Sequence, residues 1–146
     1  MREWLWNVVA KLNKNVKSYD SDSPKTLLIT NEVDIGVIWN AEAILAKNYN
    51  NKIKIVYPKE GHAISIDNFC ILKEAKNKEN AYKFIDFILK DDIMKYIVEE
   101  YPYISTNIHQ SNYSSDELEE IFNNGYYVSN IGAHLEKYDK VWAEIK

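Results

Sequence analysis

Gly36-Val37-Ile38-Trp39-Asn40 and Pro58-Lys59-Glu60-Gly61-His62-Ala63-Ile64-Ser65-Ile66-Asp67-Asn68 are the two stretches on which the reading of this chain turns. Each is an apolar run with the character of a buried strand, and each ends on one large or charged group. In α/β proteins the ends of strands are where ligand groups stand, because the sheet fixes the side chain while the neighbouring loops stay open. An indole and a carboxylate offered in this way suit an alkylammonium ligand. The ring face attracts the cationic head, and the carboxylate accepts charge-assisted hydrogen bonds from it.

Working outward, helix and strand signals alternate, and the fold class is α/β. Met1 to Leu12 has a helical pattern, and Asn13 to Asp22 is polar and irregular. Ser23 caps a short helix with Pro24 at its first position, where a missing amide costs nothing. Glu32 to Trp39 predicts a central strand, Ala41 to Asn48 a helix, and Lys52 to Tyr57 an alternating strand. Ala63 to Leu72 is extended and apolar apart from Asp67. Asn77 to Lys90 is the clearest helix, with Ala81, Phe84, Ile85, Ile88 and Leu89 on one face. Asp92 to Glu100 is a further helix, ended by Pro102. Ser114-x-x-Glu117 forms a capping box, with Tyr113 and Leu118 placed as a hydrophobic staple. Gly132 to Ile145 closes the chain as an amphipathic helix.

The 146 residues match one ordinary domain, and 46% hydrophobic with 27% charged residues is a globular composition. A formal net charge of −4 runs against nucleic acid and suits a cationic ligand. The single cysteine, Cys70, stands in Phe69-Cys-Ile-Leu72 and is expected to be a buried, inert thiol. No apolar run approaches the roughly 20 residues of a membrane span. His62, His109 and His134 lack metal-ligand spacing, so neither a metal nor a cofactor is assigned. Asp116 to Glu120 reads as a solvated face whose charge complements a helix N-terminus.

The order of these motifs resembles the C-terminal part of periplasmic polyamine-binding proteins, the spermidine/putrescine receptors of ABC importers. The resemblance is carried by the Ile-Trp-Asn strand end at Ile38 to Asn40 and the Pro-x-Glu-Gly turn at Pro58 to Gly61. It continues through the step to Asp67, the segment Ala75 to Leu89 that opens a helix, and Tyr103 to Asn107, and it covers about Lys14 to Lys146. It implies an incomplete lobe like a type II periplasmic binding protein, with a mixed sheet flanked by helices. It also implies a periplasmic or lipid-anchored setting, ABC permease subunits as partners, and no enzymatic activity. Family members are about twice this long, so the chain is read as the C-terminal part of a longer receptor. Met1 to Lys11 lacks the look of a signal peptide. By the same analogy residues 1–65 and 113–146 belong to the second lobe and 66–112 to the first. The helices between Asn77 and Glu100 then lack the sheet they would cover, and self-association or strand exchange between copies is expected.

As plain core, Trp39 would be unremarkable; the resemblance makes it a wall of the polyamine site. Asp67, costly to bury without a partner, reads either as a local cap with Asn68 or, by resemblance, as the group that grips an amine. Tyr103 is one of eleven tyrosines and is singled out by its place in the Tyr103 to Asn107 motif. Ser65 stands where the family has a second aromatic, a loss of about 0.5–2 kcal/mol of cation–π attraction. Val128 stands where the family has a polar amide. Tyr126 and Tyr127 are candidates to substitute there, and Glu42 could add a carboxylate beside Trp39. Alternatives are a receptor for another small ligand and a structural piece that binds nothing alone. A hydrolase pairing Glu60 with Asp67 would need both carboxyls on one pocket.

Overall fold

The computed structural model describes residues 3–107, 110–128 and 132–145. The chain divides into two units, one formed by residues 1–22 with 128–146 and the other by 23–127.

In the first unit, helix α1 (Glu3–Asn13) contacts a C-terminal helix that follows the 3₁₀ turn Gly132–His134. Their junction is aromatic. Tyr19 meets Trp142 edge to face at 4.8 Å between centroids, a geometry favoured by the ring quadrupoles. The Tyr19 hydroxyl donates to Asn13 Oδ1 at 2.9 Å, which folds the irregular stretch after α1 back onto the helix end. The predicted terminal helices are therefore present, with Met1 and Arg2 outside the described residues.

The larger unit carries α2 (Pro24–Ile29), α3 (Asn40–Tyr49), β1 (His62–Ile64), α4 (Lys78–Ile88), α5 (Asp91–Glu100), α6 (Ser115–Asn123) and β2 (Gly125–Tyr127). The C-terminal helix of the first unit is α7 (Leu135–Ile145). Helix α2 has proline at its start as predicted, although the Ser23 side chain makes no capping bond. Its end is a Schellman turn. Asn31 adopts φ 56°, the left-handed conformation that Asn tolerates better than most residues. Glu32 N then donates to Leu27 O and Asn31 N to Leu28 O. This turn aims the chain into the stretch that leads to Trp39.

Helix α2 packs on α3, whose Ala41, Ala43 and Ala46 are buried. Alanine is what lets two helices approach closely without a cavity. Single apolar residues of α4, α5 and α6 (Ile88, Val98 and Ile121) are buried too, as is Pro102. Along α4, Ala81 and Ile85 are half-buried with Ile88 beneath them, while Phe84 and Leu89 of the predicted face stay largely exposed. Helix α6 begins with the predicted capping box: Glu117 N donates to Ser114 Oγ, and Ser114 N donates to Glu117 Oε2 at 2.8 Å. Asp116, Glu117, Glu119 and Glu120 are exposed, the solvated face expected of them.

Strands β1 and β2 form a parallel pair in the register His62–Gly125, Ala63–Tyr126 and Ile64–Tyr127. A glycine is required at 125, since a Cβ there would sit 2.8 Å from Ile121 O. Among the described residues this is the only sheet, so the α/β class stands while two strand predictions fail. Residues 33–38 and 52–57 make no ladder, because a strand is defined by a hydrogen-bonded neighbour and none lies beside them. The second stretch keeps the alternation of a strand, with Ile53, Ile55 and Tyr57 half-buried between exposed neighbours. The first was expected to be too apolar for the surface; instead Ile35 is 87% and Val37 98% exposed. Cys70 is also corrected: it is exposed, in a non-helical segment.

Candidate ligand groove

The unpaired stretches border an open groove of about 1780 Å³ that lies wholly within the 23–127 unit. That volume exceeds the several hundred to about 1,000 Å³ of an ordinary small-molecule pocket, so the feature is a trough rather than an enclosed cavity. Trp39, Ser65, Asp67, Tyr103, Tyr126 and Tyr127 all line it.

Each comes from a different local device. Trp39 is the N-cap residue of α3, extended at φ −63° and ψ 143°, and its indole is 54% exposed. The helix is buried through its alanines, so the indole stands on a fixed base. Ser65 and Asp67 follow directly from β1, which the turn at Gly61 launches. Gly61 N donates to Pro58 O, and the residue takes φ 113°, a conformation for glycine. Asp67 is exposed to solvent, so its carboxylate is available to a ligand and is not the buried charge that the apolar sequence around it suggests.

Tyr103 leaves a tight turn in which its own N–H donates to Tyr101 O at 2.7 Å across Pro102. An i to i+2 bond of this kind centres on a residue near φ −75°, close to what the proline ring imposes. The ring is 42% exposed. Burial first, and then the carboxylates of Glu42 and Asp67, raise its hydroxyl above tyrosine's ordinary value; the Lys25 ammonium opposes them.

A hydrogen-bonded relay ties Trp39 to Tyr103. Asn40 Nδ2 donates to the Tyr113 hydroxyl at 2.8 Å, and that hydroxyl donates to Pro102 O at 3.0 Å. Asn40 adjoins Trp39 and Pro102 adjoins Tyr103, so one partly buried phenol holds both loops. The sequence marks Tyr113 only as a staple residue. Nothing in the sequence pairs it with an asparagine 73 positions away.

The weaker candidates separate. Tyr126 and Tyr127 belong to β2 and face the groove with largely exposed rings. Glu42 does not line it; its Oε2 is held by Lys25 Nζ at 2.6 Å. Val128 is exposed and belongs to the other unit. Glu60 is exposed on the Pro58 turn and off the groove, so it does not face Asp67 across a pocket. His62 lines the groove beside Tyr57, and both its ring nitrogens are shielded without a hydrogen-bond partner. His109 lies outside the described residues. Among the described residues no group of His, Cys, Asp and Glu is arranged to hold a metal, and no helix is long and apolar enough to cross a membrane.

Residues 3–119 match the family model described as bacterial extracellular solute-binding protein. The chain belongs to this family. It is 32% identical over 99% of its length to the spermidine/putrescine-binding periplasmic protein of Escherichia coli, covering 44% of that protein. It is 34% identical over 80% of its length to the protein of the same name from Salmonella typhimurium, covering 33% of it. It is 29% identical over 93% of its length to spermidine/putrescine-binding periplasmic protein 1 of Haemophilus influenzae, covering 40% of it. The chain thus spans less than half the length of these relatives.

Proposed function

We propose that this chain forms part of the extracytoplasmic solute-binding component of a polyamine ABC importer, holding spermidine or putrescine between two lobes. The observation that carries the reading is that Trp39, Asp67 and Tyr103 all line one groove. In this reading the Trp39 indole lies along the alkyl chain and attracts the charged carbons beside nitrogen. Asp67 accepts from one terminal ammonium, and the Tyr103 hydroxyl accepts or donates beside it. The fold is a type II periplasmic-binding-protein lobe in part, residues 66–112 belong to the lobe opposite the one built by 1–65 and 113–146, and the closed form meets a permease. The similarity to three periplasmic proteins named for these ligands supports both the ligand class and a periplasmic setting.

A receptor for a bulkier organic cation is the second reading. It is favoured by Ser65, exposed on the groove wall where an aromatic would narrow it. Isothermal titration with putrescine, spermidine and choline separates the two. Polyamine binding that weakens with salt is expected, and Asp67→Asn is expected to lower affinity about 10- to 100-fold through loss of a charge-assisted bond. No heat from either polyamine at high micromolar concentration, with choline bound, would overturn the first reading in favour of the second.

A further inference from the structure

We propose that Tyr126 is the aromatic partner of a second ligand amine, so that a polyamine gripped at Asp67 runs along one face of β1 and spermidine is held in preference to putrescine. This rests on the polyamine reading above.

The parallel register sets Tyr126 beside Ala63. Paired residues of neighbouring strands share a face, and side chains two apart along an extended chain return to it. Beyond β1 the chain runs on without turn or bend through Asn68, so Ala63, Ser65 and Asp67 share the face that Tyr126 occupies. The Tyr126 ring leans away from Asp67 along the strand: a Cβ at Gly61 would lie 3.6 and 3.7 Å from its Cδ1 and Cε1. Tyr126, Ser65 and Asp67 all line the groove, and the ring is 59% exposed.

Carboxylate and ring thus stand at the two ends of a strip floored by the small residues Ala63 and Ser65. From Gly61 to Asp67 an extended chain covers about 20 Å. The Asp67 side chain, its hydrogen bond and a cation held up to about 6 Å from the ring centroid use about half of that, leaving roughly 10 Å between two bound nitrogens. The outer nitrogens of extended spermidine are nine bonds and roughly 11 Å apart, those of putrescine five bonds and roughly 6 Å. Spermidine reaches both groups; putrescine reaches one. A ring at position 65 would stand across this path, so the serine opens it and the neighbouring strand supplies the aromatic. The other charged side chains on the trough, Asp34, Lys52 and Lys54, belong to the stretches 33–38 and 52–57, and Asp34 is the rival grip for the far amine.

The test is titration of spermidine and putrescine into the unsubstituted chain and into Tyr126→Leu, Tyr126→Phe, Ser65→Tyr and Asp34→Asn, with melting curves to verify folding. Tyr126→Leu keeps apolar bulk and loses the π-face; it is expected to weaken spermidine about three- to fivefold and putrescine less than about 1.5-fold. Tyr126→Phe is expected to retain the preference, since the ring and not the hydroxyl carries it. Ser65→Tyr leaves Tyr126 untouched and is expected to narrow the preference by closing the path, which decides the matter if Tyr126→Leu does not fold. Asp34→Asn is expected to move both affinities together. Equal weakening of the two ligands in Tyr126→Leu, or of neither, or an unchanged preference in Ser65→Tyr, would make Tyr126 a packing residue over Gly61 and overturn the inference while the ligand class stands. So would an unsubstituted chain that binds putrescine as tightly as spermidine. A preference that survives Tyr126→Leu and is lost in Asp34→Asn would overturn it in favour of Asp34. No binding of either polyamine by the unsubstituted chain would bring down the ligand class and this inference together.

Discussion

The Tyr113 hydroxyl accepts a hydrogen bond from Asn40 and donates one to Pro102 O, so its loss leaves two groups short of a partner at once. Tyr113→Phe keeps the ring and removes only the oxygen. The expected cost is about 1–3 kcal/mol of stability in urea unfolding, because a partly buried amide and carbonyl lose their bond. On the proposed function, polyamine affinity should fall with it, since the loops carrying Trp39 and Tyr103 lose their common tether. The same residue gives an alkaline signature. Burial, the largest cause, pushes its hydroxyl up to about 12 from tyrosine's ordinary 10.0. The folded chain therefore keeps a proton that the unfolded chain releases near 10. The associated stability is complete below pH 10 and drains away as pH rises towards 12. Chemical unfolding at pH 9, 10.5 and 11.5 should show this decline, and Tyr113→Phe should flatten it. An identical alkaline slope in both proteins would place the titration elsewhere.

Helix α6 shows the same economy one level up, with two side chains closing its first turn. Ser114→Ala should cost about 1 kcal/mol, the usual value of an N-cap oxygen. Hydrogen bonds from the Ser114 backbone and hydroxyl hold the Glu117 carboxyl below its ordinary 4.5. Its contribution is thus present above that value and is lost as pH falls through the lowered one. Far-ultraviolet dichroism between pH 5 and 3 should show an earlier helical loss in the intact chain than Glu117→Gln shows relative to its own pH 5 signal. The Ser-x-x-Glu spacing made this element readable from sequence, as did proline at the start of α2 and the 3.6-residue period of α4. Residues 33–38 and 52–57 were misread for a physical reason: apolar content and alternation report what a segment could pair with, whereas a ladder needs the neighbour itself. Trp39, Asp67 and Tyr103, which the resemblance singles out, all line the groove. The Asn40–Tyr113 bond and the Lys25–Glu42 pair were not legible, because each joins residues whose meeting depends on helix packing that no local pattern encodes.

At the scale of the whole molecule, the unpaired stretches are where self-association is expected to begin. Val37 and Val56 are 98% and 77% exposed, in stretches that join no strand ladder among the described residues. An apolar, unpaired edge of this sort templates pairing with another chain. Helices α4 and α5 add to the pressure through Phe84, Leu89 and Tyr96, all largely exposed. Sedimentation at tens of micromolar should therefore give a mass above the 17.1 kDa of one chain, falling on dilution. Val37→Lys and Val56→Lys each place a charge on a different unpaired stretch, the device natural sheets use against edge pairing. If association runs through these edges, either change should return the chain to its monomer mass while leaving the helical signal intact. A charge on the exposed face of α4, Phe84→Lys, would be without effect in that case. Should Phe84→Lys dissolve the assembly and the edge variants leave it whole, the helices would be the adhesive surface, since they present apolar area but no open backbone. The two outcomes differ in salt response as well. Edge pairing rests on backbone hydrogen bonds and would change little with ionic strength, whereas sulfate would strengthen contact between apolar helix faces.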